Sequence, residues 1–234
     1  MFMNYSFLEV ELVETAVIGT LNVLKACSEA KIKRVVVVSS TAAVEMNPNW
    51  PNDQVMDEAC WSDEEYCRKT KNWYFLSKTV AEKEALEYGR RTDGLEVVTV
   101  CPSIVIGPML QSTVNGSSWV LIKILKDGVD RVENKVLFIV DVREVAEALL
   151  LTYEKPEAEG RYICSSYMVR MRDLVEKLRS VYPNYNYPKN FIEVKEEKIS
   201  SEKLQRMGWK FRSLEETLAD SVKSYQEAGV IHRC

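Results

Sequence analysis

Tyr74-Phe-Leu-Ser-Lys78 places a phenol and an ammonium four residues apart. On a helix that spacing stacks both side chains on one face. An ammonium beside a phenol favours the phenolate, and such a pair moves a proton to or from a carbonyl or hydroxyl oxygen. Upstream, Arg34-Val-Val-Val-Val-Ser-Ser40 is an apolar run that ends in two hydroxyls. A serine at that strand end would hydrogen-bond the same oxygen and orient it. The tyrosine–lysine spacing alone carries little weight, because Tyr185-Asn-Tyr-Pro-Lys189 repeats it. Pro188 makes that second copy a poor helix interior.

Other chemistries have few residues to draw on. The one histidine is His232, near the end of the chain, which nearly excludes a Ser-His-Asp or Cys-His mechanism and any histidine-based metal site. The six cysteines, Cys27, Cys60, Cys67, Cys101, Cys164 and Cys234, form no C-x-x-C, so no metal site is expected. Six thiols in a reducing compartment is the simplest expectation. Cys60 and Cys67 lie near enough in sequence to bridge under oxidation.

These groups must be positioned by a fold, and 234 residues suffice for one large domain with a real core. Hydrophobic residues make up 46% and charged residues 28%, which reads as globular. A net charge of −4 argues against nucleic acid or an anionic membrane as partner. No apolar run approaches the roughly 20 residues of a membrane span. The start, Met1-Phe-Met-Asn-Tyr-Ser-Phe7, has no signal-peptide design, so a cytoplasmic protein is expected.

Apolar periodicity predicts a helix over 9–30, with Leu12, Val13, Ala16, Val17, Thr20, Leu21 and Leu24 on one face. Val35 to Val38 reads as a strand buried on both faces. A loop follows over 45–62, then a helix from Asp63 or Asn72 to Arg91. Strands are predicted at 95–101, 136–140, 161–164 and 191–194. Helices are predicted at 117–126, 142–153, 172–181, 200–207 and 214–228, with Asp141 capping the second of these. Strands alternating with helices imply an α/β fold with a parallel sheet, whose ligands bind outside the strand carboxyl ends. Ser39 and Ser40 would face that crevice. Trp61, Trp73, Trp119 and Trp209 read as core or pocket wall. The basic residues Arg170 and Arg172 and the stretch 195–203 read as solvated faces.

Five segments in order resemble one family: Val35-Val-Val-Val-Ser-Ser40, Asp57-Glu-Ala-Cys-Trp-Ser-Asp63, Lys71-Asn-Trp-Tyr-Phe-Leu-Ser-Lys-Thr-Val-Ala-Glu82, Cys101-Pro-Ser-Ile-Val-Ile-Gly-Pro108 and Gly160-Arg-Tyr-Ile-Cys164. They are similar to the plant cinnamoyl-CoA reductase and dihydroflavonol reductase group of extended short-chain dehydrogenases/reductases, along essentially the whole chain. The resemblance implies an NADP(H)-dependent reductase of a small carbonyl substrate, a phenylpropanoid-type aldehyde, ketone or CoA thioester. It implies a partial Rossmann-like parallel sheet with a smaller C-terminal substrate lobe. Residues 1–234 form a single truncated domain in this reading, with 103–234 contributing most of that lobe.

Residue by residue, the resemblance makes Ser40 the catalytic serine, with Ser39 as the alternative. Tyr74 becomes the catalytic tyrosine, and Lys78 the lysine that binds the nicotinamide ribose and sustains the tyrosine. Pro102, Ser103, Ile104 and Val105 lie along the nicotinamide, and Ser117 is a further cofactor contact. Trp119 lines a pocket for an aromatic ring, and Lys123 is a substrate contact. A monomer is compatible with this reading, which leaves oligomeric state open.

Two departures shape the expectation. The family opens with a strand, a glycine-rich turn and a helix that hold the pyrophosphate. The nine glycines here assemble no G-x-x-G-x-x-G. A chain beginning after those units is therefore expected, and the alternative is a non-catalytic remnant of such a reductase. An epimerase or dehydratase with tightly held NAD is a third reading. The second departure is the signature of true cinnamoyl-CoA reductases, tyrosine-cysteine-tyrosine-glycine-lysine, which here reads Tyr74-Phe-Leu-Ser-Lys78. Their His-x-x-Lys pair becomes Val120 and Lys123, and Met171 takes the place of a later arginine for the CoA phosphate. A small aldehyde or ketone is thus as well matched as a CoA thioester.

Overall fold

The computed structural model describes residues 10–51, 53–126, 128 and 130–232. Met1–Phe7 and Cys234 lie outside them. In chain order the elements are α1 (Thr15–Glu29), β1 (Arg34–Val38), α2 (Glu64–Lys69), α3 (Trp73–Arg91), β2 (Glu96–Pro102), β3 (Ile104–Ile106), α4 (Gly116–Lys126) and β4 (Arg131–Glu133). Then come β5 (Val136–Asp141), α5 (Val142–Glu154), β6 (Gly160–Cys164), β7 (Tyr167–Arg170), α6 (Met171–Val181), β8 (Asn190–Ile192), α7 (Glu202–Arg206) and α8 (Leu214–Glu227). Two compact units share them. Unit 1 runs to Ser103 and adds Glu147–Cys164 and Ser200–Trp209; unit 2 takes Ile104–Ala146, Ser165–Ile199 and the chain from Lys210. Two segments beyond residue 103 therefore return to unit 1.

Unit 1 is built on a parallel three-stranded sheet in the order β1-β2-β6. The register aligns Val37 with Thr99 and Thr99 with Arg161. β2 is central, and Val98 to Pro102 are buried along it. β1 differs from expectation: it is half-buried and Val38 is 50% exposed. Among the described residues it pairs only with β2, and an edge strand has no neighbour to cover its second side. Helix α3 packs on β2, on α1 and on the 3-10 turn Thr41–Ala43. Gly89 permits the close approach to β2, since a Cβ there would lie 2.7 Å from the Val97 side chain.

Of the two starts expected for the helix ending at Arg91, the later one holds: Asn72 precedes α3, and Asp63 opens a separate helix. Asp63 caps α2 by accepting the Tyr66 N–H. α2 ends at Lys69, and two residues on Lys71 takes a left-handed φ of 60°. The Lys71 N–H returns to the Arg68 carbonyl and the Asn72 N–H to the Cys67 carbonyl, the bond pair of a Schellman stop. α1 closes the same way through Lys31, φ 57°. These stops use lysine where glycine is usual, so they carry little sequence signal.

Unit 2 holds a mixed sheet, β3-β5-β7, and a parallel pair, β4 with β8. β5 and β7 run antiparallel, a departure from the all-parallel expectation. Leu121, Ile122, Leu125, Leu174, Leu178 and Val222 supply buried side chains of its core. Asp141 caps α5 as predicted, accepting the Arg143 N–H at 2.8 Å. Burial alone would raise the Asp141 carboxyl. Hydrogen bonds from Arg143 and Thr217 outweigh burial and hold it below its ordinary value.

Candidate active site

Ser40 follows β1 in extended backbone, φ −164° and ψ 155°, and starts the 3-10 turn. Its Oγ accepts the Ala42 N–H at 3.2 Å. The hydroxyl proton has no acceptor among the described residues, and the side chain is half-buried. Ser39 beside it is buried and committed: its Oγ donates to Glu82 Oε2 at 2.6 Å. Alternation along the strand sends the two serines to different surroundings. The geometry leaves Ser40, not Ser39, free to meet a ligand.

Tyr74 stands at the second position of α3, 52% exposed, with its ring edge-on to Phe75. Its hydroxyl has no hydrogen-bond partner among the described residues, and neither does the half-buried Lys78 ammonium. One turn on, Lys83 is by contrast paired with Glu64 at 2.7 Å. Helix α3 puts Tyr74 and Lys78 on one face, and the turn entered from Ser40 packs against that helix. All three groups belong to unit 1. Ser39, Glu82 and Lys83 are held by side-chain bonds, whereas the Ser40 hydroxyl proton, the Tyr74 phenol and the Lys78 ammonium have no partner among the described residues.

At the end of β2, Pro102 is buried and the Ser103 N–H donates to the Cys164 carbonyl at 3.1 Å. The Ser103 Oγ is buried without a partner among the described residues. An orphaned buried hydroxyl is costly unless something supplies its hydrogen bond. Ile104 and Val105 open β3 in unit 2, where α4 carries Ser117, Trp119 and Lys123. Ser117 is half-buried, while Trp119 and Lys123 are exposed. Arg170 and Arg172 are not simply solvated. Arg170 pairs with Glu193 and Glu196, and Arg172 with Glu193 at 2.8 Å. Met171 is buried.

The sequence reading gave no role to the buried carboxylate of Glu82, which is 1% exposed. Oε1 accepts from Arg161 Nε at 2.8 Å, Thr99 Oγ1 at 2.6 Å and Cys101 Sγ at 3.2 Å. Oε2 accepts from Ser39, and from Arg161 Nη2 at 3.3 Å. Arg161 donates further to the carbonyls of Glu58, Cys60 and Ala43, and lies 3.4 Å above the Trp61 ring. A signal existed: positions 76, 79, 82 and 85 form the buried stripe of α3, and Glu82 is its one charged member.

The described cysteines are free thiols, so no Cys60–Cys67 bridge forms. Burial pushes the Cys60 thiol up to about 11, partly offset by Arg161. Burial, followed by the Glu82 carboxylate, pushes Cys101 well up. Such thiols are inert as nucleophiles. Among the described residues no helix is long and apolar enough to cross a membrane.

Comparison with known proteins places this geometry in context. The family model "NAD dependent epimerase/dehydratase family" matches residues 6–164. Cinnamoyl-CoA reductase 1 of Petunia hybrida is 42% identical over 224 residues, covering 94% of this chain and 67% of that protein. The chain spans about two thirds of the length of the curated relatives it matches. The crystal structure of vestitone reductase from alfalfa aligns with a TM-score of 0.82 and 29% identity, over 95% of this chain and 74% of that one. The yeast methylglyoxal/isovaleraldehyde reductase Gre2 complexed with NADPH aligns with a TM-score of 0.81 and 28% identity, over 96% and 73%.

Proposed function

The chain belongs to the NAD dependent epimerase/dehydratase family, among the cinnamoyl-CoA and dihydroflavonol reductases, and we propose that it serves as an NADP(H)-dependent reductase of a phenylpropanoid-type carbonyl compound. One observation carries this reading. The Ser40 hydroxyl proton, the Tyr74 phenol and the Lys78 ammonium have no partner among the described residues, in a unit where Ser39, Glu82 and Lys83 are all bonded.

The residues present suit the nicotinamide end of a dinucleotide. The orphaned Ser103 hydroxyl at the end of β2 offers a hydrogen bond there, beside Pro102. Lys78 would hold the ribose. When bound, the nicotinamide supplies a hydride to the carbonyl carbon. Ser40 donates a hydrogen bond to the carbonyl oxygen and orients it. Tyr74 delivers a proton to that oxygen as its charge develops. Lys78 favours the tyrosinate left behind. The NADPH in the yeast neighbour supports NADP(H) over NAD(H).

A small aldehyde or ketone is the proposed substrate. A CoA phosphate would have to displace a carboxylate from Arg170 or Arg172, and Met171 is buried. The cytosol is the proposed compartment, in keeping with free thiols among the described residues. A second reading, a chain that keeps this fold without turnover, draws on the lack of any G-x-x-G-x-x-G among its nine glycines.

NADPH fluorescence titration, followed by NADPH oxidation with a cinnamaldehyde-like aldehyde and with cinnamoyl-CoA, tests the proposal. Binding with turnover of the aldehyde is expected. Binding without turnover of either compound favours the second reading, and no binding contradicts the cofactor assignment.

A further inference from the structure

Glu82 lies one helical turn beyond Lys78 and two beyond Tyr74, so the three occupy successive turns of α3. Its carboxylate takes hydrogen bonds from all three strands of the unit 1 sheet: Ser39 after β1, Thr99 and Cys101 on β2, and Arg161 on β6. Thr99 and Arg161 share one register row. A single carboxyl group thus ties the helix bearing the relay to every strand beneath it, and to the residue next to Ser40. Arg161 extends the tie to the loop after Ser40, through the Ala43, Glu58 and Cys60 carbonyls and the Trp61 ring. Apolar side chains of similar volume often serve stability as well as or better than a buried ion pair. What a directional carboxylate adds is a fixed rotation and depth for the helix.

We propose that Glu82, held by Arg161, is a positioning residue for the relay: it sets how α3 lies on β1, β2 and β6, and so where Tyr74 and Lys78 stand relative to Ser40. The proposal rests on the reductase reading above for its kinetic consequence. A misplacement of about 1 Å costs on the order of 100-fold in turnover.

The test compares the full chain with Glu82→Gln, with the double variant Glu82→Met/Arg161→Met, and with each of these on a Tyr74→Phe background. Melting temperature is read alongside kcat and the KM for NADPH, and a crystal structure of the double variant is determined. Glu82→Gln is expected to lower kcat on the order of 100-fold and to leave the KM for NADPH within about threefold. The double variant is expected to regain the melting temperature and not the kcat. On the Tyr74→Phe background, Glu82→Gln should cost less than about threefold more, because the group it positions is already gone. Recovery of kcat together with melting temperature, or losses that multiply between Glu82→Gln and Tyr74→Phe, would overturn the proposal.

Should the parent chain oxidise no NADPH, the reductase reading fails and the crystal structure decides the positioning role. Displacement of the first two turns of α3 against β1 and β2 in the double variant sustains it. Unchanged placement of Ser40, Tyr74 and Lys78 sinks it.

Discussion

Replacing Arg161 with methionine should be among the most damaging single changes in unit 1, and its cost follows from the geometry. The side chain is 6% exposed and meets Glu82 at 2.8 and 3.3 Å. Two unit charges about 4 Å apart in an effective dielectric of about 20 attract by about 4 kcal/mol. Removing one partner of a buried pair costs roughly 3–5 kcal/mol, because the other charge stays desolvated. Ser39 and Thr99 still donate to Glu82 and soften that loss. Against this, the Glu58 and Cys60 carbonyls lose a donor and Trp61 loses its stacked guanidinium. The sum is a destabilisation of about 4 kcal/mol, a large fraction of the 5–15 kcal/mol typical of a whole domain. Urea unfolding followed by tryptophan fluorescence measures it, with an unchanged m-value showing that stability has changed and the surface exposed on unfolding has not. Adding Glu82→Met should then restore stability to within about 2 kcal/mol of the parent, since both charges are gone. A cost below about 1 kcal/mol for Arg161→Met, or a second substitution that adds to the first, refutes the reasoning.

The two adjacent serines should separate cleanly. Ser39→Ala should cost about 1.5–3 kcal/mol in urea unfolding through its lost bond to Glu82, whereas Ser40→Ala, which loses only its cap on the Ala42 N–H, should cost about 0.5–1 kcal/mol and lower kcat. Lys71→Gly should stabilise the chain by roughly 0.5 kcal/mol by relieving the left-handed backbone at the α2 stop, read as a rise in melting temperature. Asp141 has a folded value held below its ordinary 3.8, so its contribution is full above about pH 4 and is lost as pH falls through the folded value. Asp141→Asn should therefore cost about 1.5–3 kcal/mol at neutral pH, and the gap to the parent should narrow below about pH 4.

The β-branched runs made β1, β2, β5 and β6 legible, because Val35–Val38 and Val97–Val100 have no alternation to confuse with a helix. Asp63 and Asp141 marked helix starts through ordinary cap chemistry. The three- and four-residue strands β3, β4 and β7 were missed, since too few residues establish a period of two. With β7 unseen, the antiparallel pairing in unit 2 was unseen as well. Lys31 and Lys71 concealed two helix stops that glycine would have announced. At the site, residue type and spacing picked out Tyr74 and Lys78, and the family resemblance chose Ser40 over its neighbour. Choosing Ser40 on physical grounds needed the bond from Ser39 to Glu82, which joins residues 43 apart in sequence. Arg161, 79 positions from Glu82, was invisible for the same reason.

Tyr74 is the proposed proton donor, and its phenol has no hydrogen bond to lose among the described residues. Steady-state NADPH oxidation with a cinnamaldehyde-like substrate, by the parent chain and by Tyr74→Phe, tests that role most directly. Loss of roughly 100-fold or more in kcat, with NADPH affinity and melting temperature held, is the expected result. A phenylalanine variant that turns over as fast as the parent would contradict it.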